Sequence, residues 1–260
     1  MSRVAVVTGA GRGIGAAVVD QLAGQGWRVL AVDICADIPG TPYPLASRAD
    51  LAAVAKRWPD QVLDFVGDVR DQEAMTEAVA TAEREFARVD AAVAAAAIMA
   101  GGQALWETTD AEWDALFDTG VRGVFTLARA AVPALLRRPE PRSGRFVALA
   151  SAAGHTGLWH LAGYNAAKHA VVGLIRGLAT DLRGTGVTAT AVSPGSTRTA
   201  MLDATAELYH LDTVEEFSQH QLVERLLAPE EVAAAVCFLC GEQSSAITGT
   251  VVHADGGFTA

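Results

Sequence analysis

The sequence predicts an α/β fold in which one doubly wound, mostly parallel seven-stranded sheet is flanked by helices. Three observations predict it. Short apolar runs, most of them β-branched, alternate along the whole chain with longer stretches of helical spacing. The first run leads into a glycine-rich turn that opens a helix, and the second ends in an acid. No linker-like change of composition and no internal repeat divides the chain, so residues 1–260 read as one domain.

The elements follow in order. Val4–Val7 is a buried strand, and Ile14–Gln25 carries helical spacing behind the glycines. Arg28–Val32 is a second strand that ends in Asp33. A long connection follows, in which the PGTPYP stretch is a loop and Ala49–Arg57 a helix, so an insert is expected near 35–61. Leu63–Val66 is a strand, Gln72–Phe86 a helix and the alanine-rich Ala91–Ala97 a fourth strand. Asp110–Phe117 is helical, and Gly123–Arg137 continues or restarts it. Arg145–Leu149 is a strand, Tyr164–Leu182 a long helix and Val187–Val192 a sixth strand. After the Pro194-Gly195 break comes a helical excursion, Met201–Leu227, and residues 196–223 are expected to form a substrate lid. Glu230–Leu239 is a helix and Gly249–Val252 the last strand.

Composition narrows the class. The net charge is −10, which argues against nucleic acid and against an anionic membrane surface, since both are bound through Lys and Arg. The three cysteines, Cys35, Cys237 and Cys240, form no disulfide framework and suit a reducing compartment. Cys237 and Cys240 have a C-x-x-C spacing without a second pair, which reads as core packing on a helix face, with no metal site. The glycines and Arg12 interrupt any signal-peptide core, and no run reaches the ~18 apolar residues of a spanning helix. A cytoplasmic protein is expected.

Two groups of residues carry chemistry. In Thr8-Gly9-Ala10-Gly11-Arg12-Gly13-Ile14-Gly15, glycines 9, 13 and 15 allow a tight turn, with free amides at a helix N-terminus facing a pyrophosphate. Asp33, 18 residues beyond Gly15, can accept hydrogen bonds from the adenosine ribose and repel a 2′-phosphate, which favours NAD over NADP. Asp68-Val69 follows the third strand; Asp68 either touches the adenine edge or caps the helix near Gln72. Farther on, Tyr164 and Lys168 lie one helical turn apart, and Ser151 ends the fifth strand 13 residues before Tyr164. A lysine ammonium ~4 Å away is expected to lower the phenol pKa by roughly three units, making Tyr164 a general acid/base. The Ser151 hydroxyl can hold the substrate oxygen against it.

Over its full length the chain resembles the short-chain dehydrogenase/reductase family, a Rossmann-type fold. The residues that carry the resemblance are TGAGRGIG at 8–15, Asp33, Asp68-Val69, Ser151, YNAAK at 164–168, Ser193-Pro194-Gly195 and ADGG at 254–257. The resemblance implies hydride transfer between the nicotinamide and a carbinol or carbonyl carbon. It implies Tyr164 as acid/base, Lys168 on the nicotinamide ribose, and Thr197 or Thr199 reaching the carboxamide. It also implies a homotetramer. In two places the chain departs from the family. Ala94-Ala95-Ala96-Ala97 stands where Asn-Asn-Ala-Gly is usual, which leaves Ala95 beside the cofactor, and Gly120 stands where a catalytic asparagine is usual. Glycine keeps the main-chain carbonyl that in the family binds a relay water. The connection after VDIC (32–35), IMAGGQALWE (98–107) and AVPALLRRPEPRSGRFVALASAAG (131–154) resemble the mycofactocin-coupled subgroup. That implies an insert over the adenine end, retained NAD, and mycofactocin as electron acceptor.

Gly154–Ala162 and the Ser196–Val223 excursion are expected to wall the substrate side, with Leu158, Trp159, His160, Leu161, Met201, Leu202, Leu208, Tyr209 and Phe217 suiting a hydrophobic alcohol or ketone. His155 and His160 are either solvated loop residues or groups that polarise the substrate. Trp106 and Trp113 read as core or interface. The leading expectation is an NAD-dependent oxidoreductase that interconverts a secondary alcohol and a ketone. Two other classes stay open: an NAD-binding regulator with impaired catalysis, and a lyase or epimerase that uses bound NAD internally.

Overall fold

The computed structural model describes residues 2–260. Seven strands form one sheet in the order β3-β2-β1-β4-β5-β6-β7. They are β1 (Val4–Thr8), β2 (Arg28–Asp33), β3 (Val62–Val66), β4 (Ala91–Ala94), β5 (Arg145–Leu149), β6 (Thr188–Pro194) and β7 (Val251–Ala254). All pairings between neighbours are parallel. A parallel sheet is covered on both faces, which is why β1 and β4 read as unbroken apolar runs.

Alternation along the strands divides the core in two. Val6, Leu30 and Phe146 point toward α3 (Gln72–Phe86), α5 (Gly123–Leu136) and α6 (Ala162–Asp181), where Met75, Leu127 and Val171 meet them. Val7, Val29 and Val147 point the other way, toward Leu22 of α1 (Gly13–Gly24), Leu51 of α2 (Arg48–Lys56) and Val236 of α8 (Pro229–Cys240). The chain winds outward from β1 to β3, then returns to start again at β4. That reversal opens a crevice at the carboxyl ends of β1 and β4, where α/β sheets bind ligands.

Local chemistry sets the helix ends. Ser47 and Asp50 form a reciprocal capping box at α2, and Thr109 and Glu112 form one at α4 (Asp110–Phe117). Asp71 caps α3 by accepting from the Glu73 amide at 2.8 Å, and Ala87, at φ 65°, ends it. Pro229 starts α8, and Glu231 accepts from the Ala228 amide at 2.8 Å.

Several boundaries differ from the sequence reading. The fourth strand stops at Ala94, not Ala97: beyond the Thr8–Ala94 pair, the amides of Ala95 and Ala96 turn to the Thr8 hydroxyl at 3.3 and 3.4 Å. The last strand lies two residues later, after Gly249 turns at φ 65°. The helix before β5 continues: a π turn over Asp118–Arg122, closed by the Gly123 amide donating to the Asp118 carbonyl, joins α4 to α5. The excursion after β6 holds one helix, α7 (Ala200–Leu208), and a 3-10 stretch over Val214–His220. Trp106 is 87% exposed and so is not core, while Cys237 and Cys240 are buried on α8. Among the described residues, no helix is long and apolar enough to cross a membrane.

Candidate active site

A cavity of about 770 Å³ opens at the carboxyl ends of the strands. Its first wall is the turn after β1. Gly9 (φ 65°) passes so close to the β4 end that a Cβ would lie 2.6 Å from the Ala96 Cα, and at Gly15 one would lie 2.0 Å from the Gly9 carbonyl. Only glycine lets the chain turn here, and the first turn of α1 then faces the cavity with Gly13 and Ile14. No side chain caps that N-terminus and its first turn carries no acid, so its amides are free for an anion.

Asp33 ends β2 beside this turn. Its carboxylate accepts from the Gly11 amide at 2.9 Å and the Cys35 amide at 3.2 Å. Asp68 and Val69 line the same end. Asp68 is not the cap of α3, a position that Asp71 holds; it accepts from the Arg70 amide at 2.8 Å and pairs with the Arg70 guanidinium. A cradle that a Cβ would fill, free helix amides and an acid at the end of β2 together fit a nicotinamide dinucleotide, and an acid at Asp33 opposes a 2′-phosphate.

The connection between β2 and α2 contributes to this end. Ile34, Ile38, Leu45 and Ala46 line the cavity. Arg12 donates to the Pro44 carbonyl at 2.8 Å, and its guanidinium lies 5.5 Å from the Tyr43 ring centre. The Tyr43 hydroxyl accepts from the Met99 amide at 3.1 Å.

The other end holds Ser151, Tyr164 and Lys168, all lining the cavity. Ser151 follows β5, and its hydroxyl accepts from the Ala153 amide at 3.2 Å. Tyr164 is the third residue of α6, which begins at Ala162, and its ring packs with Met99 and Leu161. Lys168, one turn on, is buried and donates to the Leu149 carbonyl at 3.0 Å. Its Nζ lies 5.7 Å from the Tyr164 ring centre. The expected lowering of the phenol pKa is not present in the polypeptide. Burial pushes Tyr164 up to about 12, against a smaller downward pull from Ser151. Burial also brings Lys168 down to about 8, and its ammonium is committed to the Leu149 carbonyl.

Beyond β6, Pro194, Gly195, Thr197 and Thr199 line the cavity. The Thr197 hydroxyl donates to the Gly195 carbonyl at 3.0 Å, and Thr199 caps α7 and packs against Gly13. Ala95 lines it from the end of β4. Gly120 lies in the π turn, where an added Cβ would meet only the Ala167 Cβ at 3.9 Å. A Cβ at position 120 therefore meets only ordinary van der Waals contact.

Leu158, Trp159, Leu161, Met201, Leu202, Tyr209 and Phe217 line the cavity as expected, whereas His160 and Leu208 do not. His160 turns to the Gly102 carbonyl at 3.1 Å. His155 also faces away, with its Nε2 2.7 Å from the buried Ser193 hydroxyl and its ring against His253. Sequence reasoning missed His220 and Thr119, which line the cavity. No motif marks His220. Thr119 adjoins Gly120, and its buried hydroxyl has no hydrogen-bond partner.

Known proteins share this layout. A family model described as enoyl-(acyl carrier protein) reductase matches residues 9–259. The short-chain reductase protein NovJ of Streptomyces niveus is 36% identical over 98% of this chain and 93% of its own length. Levodione reductase of Leifsonia aquatica is 35% identical over 99% of this chain and 94% of its own. The crystal structure of carveol dehydrogenase from Mycobacterium avium in complex with NAD superposes with a TM-score of 0.92 at 29% identity, covering 98% of this chain and 97% of that one. With its glycine turn, Asp33, Ser151, Tyr164 and Lys168 gathered around one cavity, the chain belongs to the short-chain dehydrogenase/reductase family.

Proposed function

We propose that this protein interconverts a secondary alcohol and a ketone on a hydrophobic small molecule, with Tyr164 as general acid/base and with an NAD that it retains between turnovers. The enzyme is an NAD-dependent oxidoreductase of alcohols and ketones. The observation that carries the finer reading is that Ser151, Tyr164 and buried Lys168 line the same cavity as the dinucleotide cradle.

NAD, when bound, supplies the two-electron hydride carrier. The polypeptide does the rest. The turn at Gly9–Gly15, with Arg12 at its centre, and the α1 amides hold the pyrophosphate. Asp33 accepts from the adenosine ribose, and Asp68, Val69 and Ala95 flank the adenosine half. Pro194, Gly195, Thr197 and Thr199 wall the nicotinamide side. Ser151 donates to the substrate oxygen. Tyr164 gives that oxygen a proton in reduction and takes one in oxidation. Lys168, with two N–H donors left after Leu149, binds the nicotinamide ribose. Its ammonium would then favour the tyrosinate that burial alone opposes, and a bound oxidised nicotinamide would add positive charge in the same direction. A water on a free main-chain carbonyl of the π turn links Lys168 to solvent.

Retention is supported by the stretch near 35–61, which Arg12–Pro44 ties to the glycine turn and Tyr43–Met99 ties to the chain after β4. The names of levodione reductase and carveol dehydrogenase support a cyclic or terpenoid-like substrate. The same reading has a cytoplasmic homotetramer with mycofactocin as the acceptor that reoxidises the bound cofactor. The insert near 35–61 and the lid at 196–223 belong to one domain over residues 1–260.

The test is a panel of secondary alcohols and ketones assayed with NADH, NADPH and an acceptor dye, after dialysis of the purified protein. Dye-coupled alcohol oxidation without added NAD, and nicotinamide released only on denaturation, are expected. Freely lost cofactor overturns retention. No turnover with any carbonyl or alcohol in any arm overturns the oxidoreductase reading.

A further inference from the structure

Trp159 stands out among the cavity's aromatic residues. It is 70% exposed, yet its position is heavily constrained. The next residue, His160, has φ 54°, a backbone state that L side chains rarely adopt. That turn is locked from several sides. The Gly102 amide donates to the His160 carbonyl at 2.9 Å, while the His160 ring approaches the Gly102 carbonyl at 3.1 Å. Gly101 and Gly102 both have positive φ, and a Cβ on Gly101 would lie 2.6 Å from the His160 carbonyl. The Tyr209 hydroxyl donates to the Trp159 carbonyl, and Asn165 donates to the Leu158 carbonyl at 3.0 Å.

The indole itself is braced. Its ring stacks on the His160 imidazole, centres 3.5 Å apart and planes 16° apart, and the Tyr209 ring is tilted 5.9 Å away. One face of the indole is therefore covered, and much of its remaining surface is open. An unsupported exposed tryptophan would rotate freely; this one is held by a strained turn, two main-chain clamps and a stacked ring. It lines the cavity that holds Ser151 and Tyr164, next to Leu158, Leu161 and Met201. Strain kept in a cavity wall points to a ligand that uses the wall.

We infer that Trp159 is a specificity-determining platform on which an apolar ring of the substrate lies flat. The occupant is a ring-bearing alcohol or ketone: a flat, apolar surface favours a ligand whose ring covers it at once, through the apolar area removed from water. A short acyclic ketone covers little of it. The inference rests on the reading that the reacting carbon sits at Ser151 and Tyr164.

The experiment compares wild type with Trp159→Ala and Trp159→Phe on two ketones, a substituted cyclohexanone and butanone, in kinetics and in equilibrium binding to the holoenzyme. Trp159→Ala is expected to raise KM and Kd for the cyclohexanone roughly tenfold, with butanone changed less than about threefold. Trp159→Phe is expected to recover most of the loss. Cofactor content and thermal midpoint serve as folding controls, and both are expected to stay at the wild-type value. Equal effects on the two ketones overturn the proposal, as does no effect, or a changed oligomeric mass with unchanged selectivity. Trp159-dependent binding of the cyclohexanone without turnover keeps the platform and removes the oxidoreductase reading. Turnover with no dependence on Trp159 does the reverse.

Discussion

Asp33 Oδ2 accepts from the main-chain amide of Gly11 at 2.9 Å, which ties the acid that ends β2 into the glycine turn that ends β1. The carboxylate is buried, so its charge acts across a short distance of poorly screened space. Asp33→Asn keeps an acceptor for Gly11 and removes the charge. Its preference for NAD over NADP is expected to fall about tenfold or more, because like-charge repulsion of the 2′-phosphate disappears. Calorimetric Kd values for the two cofactors check this; an unchanged ratio assigns the discrimination elsewhere.

Tyr164 and Ser151 line the same cavity, and burial holds the phenol proton. Tyr164→Phe removes the hydroxyl and leaves the ring packed with Met99 and Leu161. Turnover is expected to drop roughly 10²–10⁴-fold, the usual worth of a positioned acid/base, with NAD affinity within about threefold. A variant that keeps wild-type turnover removes Tyr164 from the chemistry and favours a regulatory role.

The glycine turn, Asp33 and the Ser151, Tyr164 and Lys168 set were legible in the sequence because each depends on local spacing. A turn needs its glycines at fixed offsets, and a helix aligns residues four apart. The missed features depend on distant chain. Tyr43 meets Met99 across 56 residues, and no local pattern encodes that. The pKa of Tyr164 was read in the wrong direction within the polypeptide because burial sums contributions from the whole fold, whereas the lysine was visible one turn away. Asp68 and Asp71 are three residues apart and chemically alike. Backbone geometry chose Asp71 as the cap and left Asp68 to Arg70. His155, open in the sequence between a solvated loop residue and a substrate contact, has its partner in Ser193 on β6, 38 residues away.

Gly120 lies in the π turn with only Ala167 facing it, and a π turn leaves a main-chain carbonyl without its helical donor. If that carbonyl holds the relay water, the side chain at 120 is dispensable. Gly120→Asn is then expected to leave turnover within about threefold and to raise stability by a few tenths of a kcal/mol through helix propensity. Steady-state rates and thermal midpoints measure both. A wild type silent on good substrates and rescued by Asn sinks the backbone relay.

Lys168 supplies a pH signature. Burial lowers its folded-state pKa to about 8, from an ordinary 10.5. Between those values the unfolded chain holds a proton that the folded chain has released, so the group's contribution to stability rises with pH across the window. Below about pH 8 both states are protonated, and the buried ammonium weighs fully against folding. Above about pH 10.5 both are neutral and the penalty is gone. Lys168→Met removes the titration and keeps the stem. Without added cofactor, the variant is expected to exceed wild type in unfolding free energy from denaturant titration near pH 7, by up to about 3 kcal/mol at ~1.4 kcal/mol per pKa unit. That advantage should shrink steadily from pH 8 toward 10.5. A pH-independent difference between the two proteins shows instead that the Leu149 hydrogen bond holds Lys168 charged throughout the range.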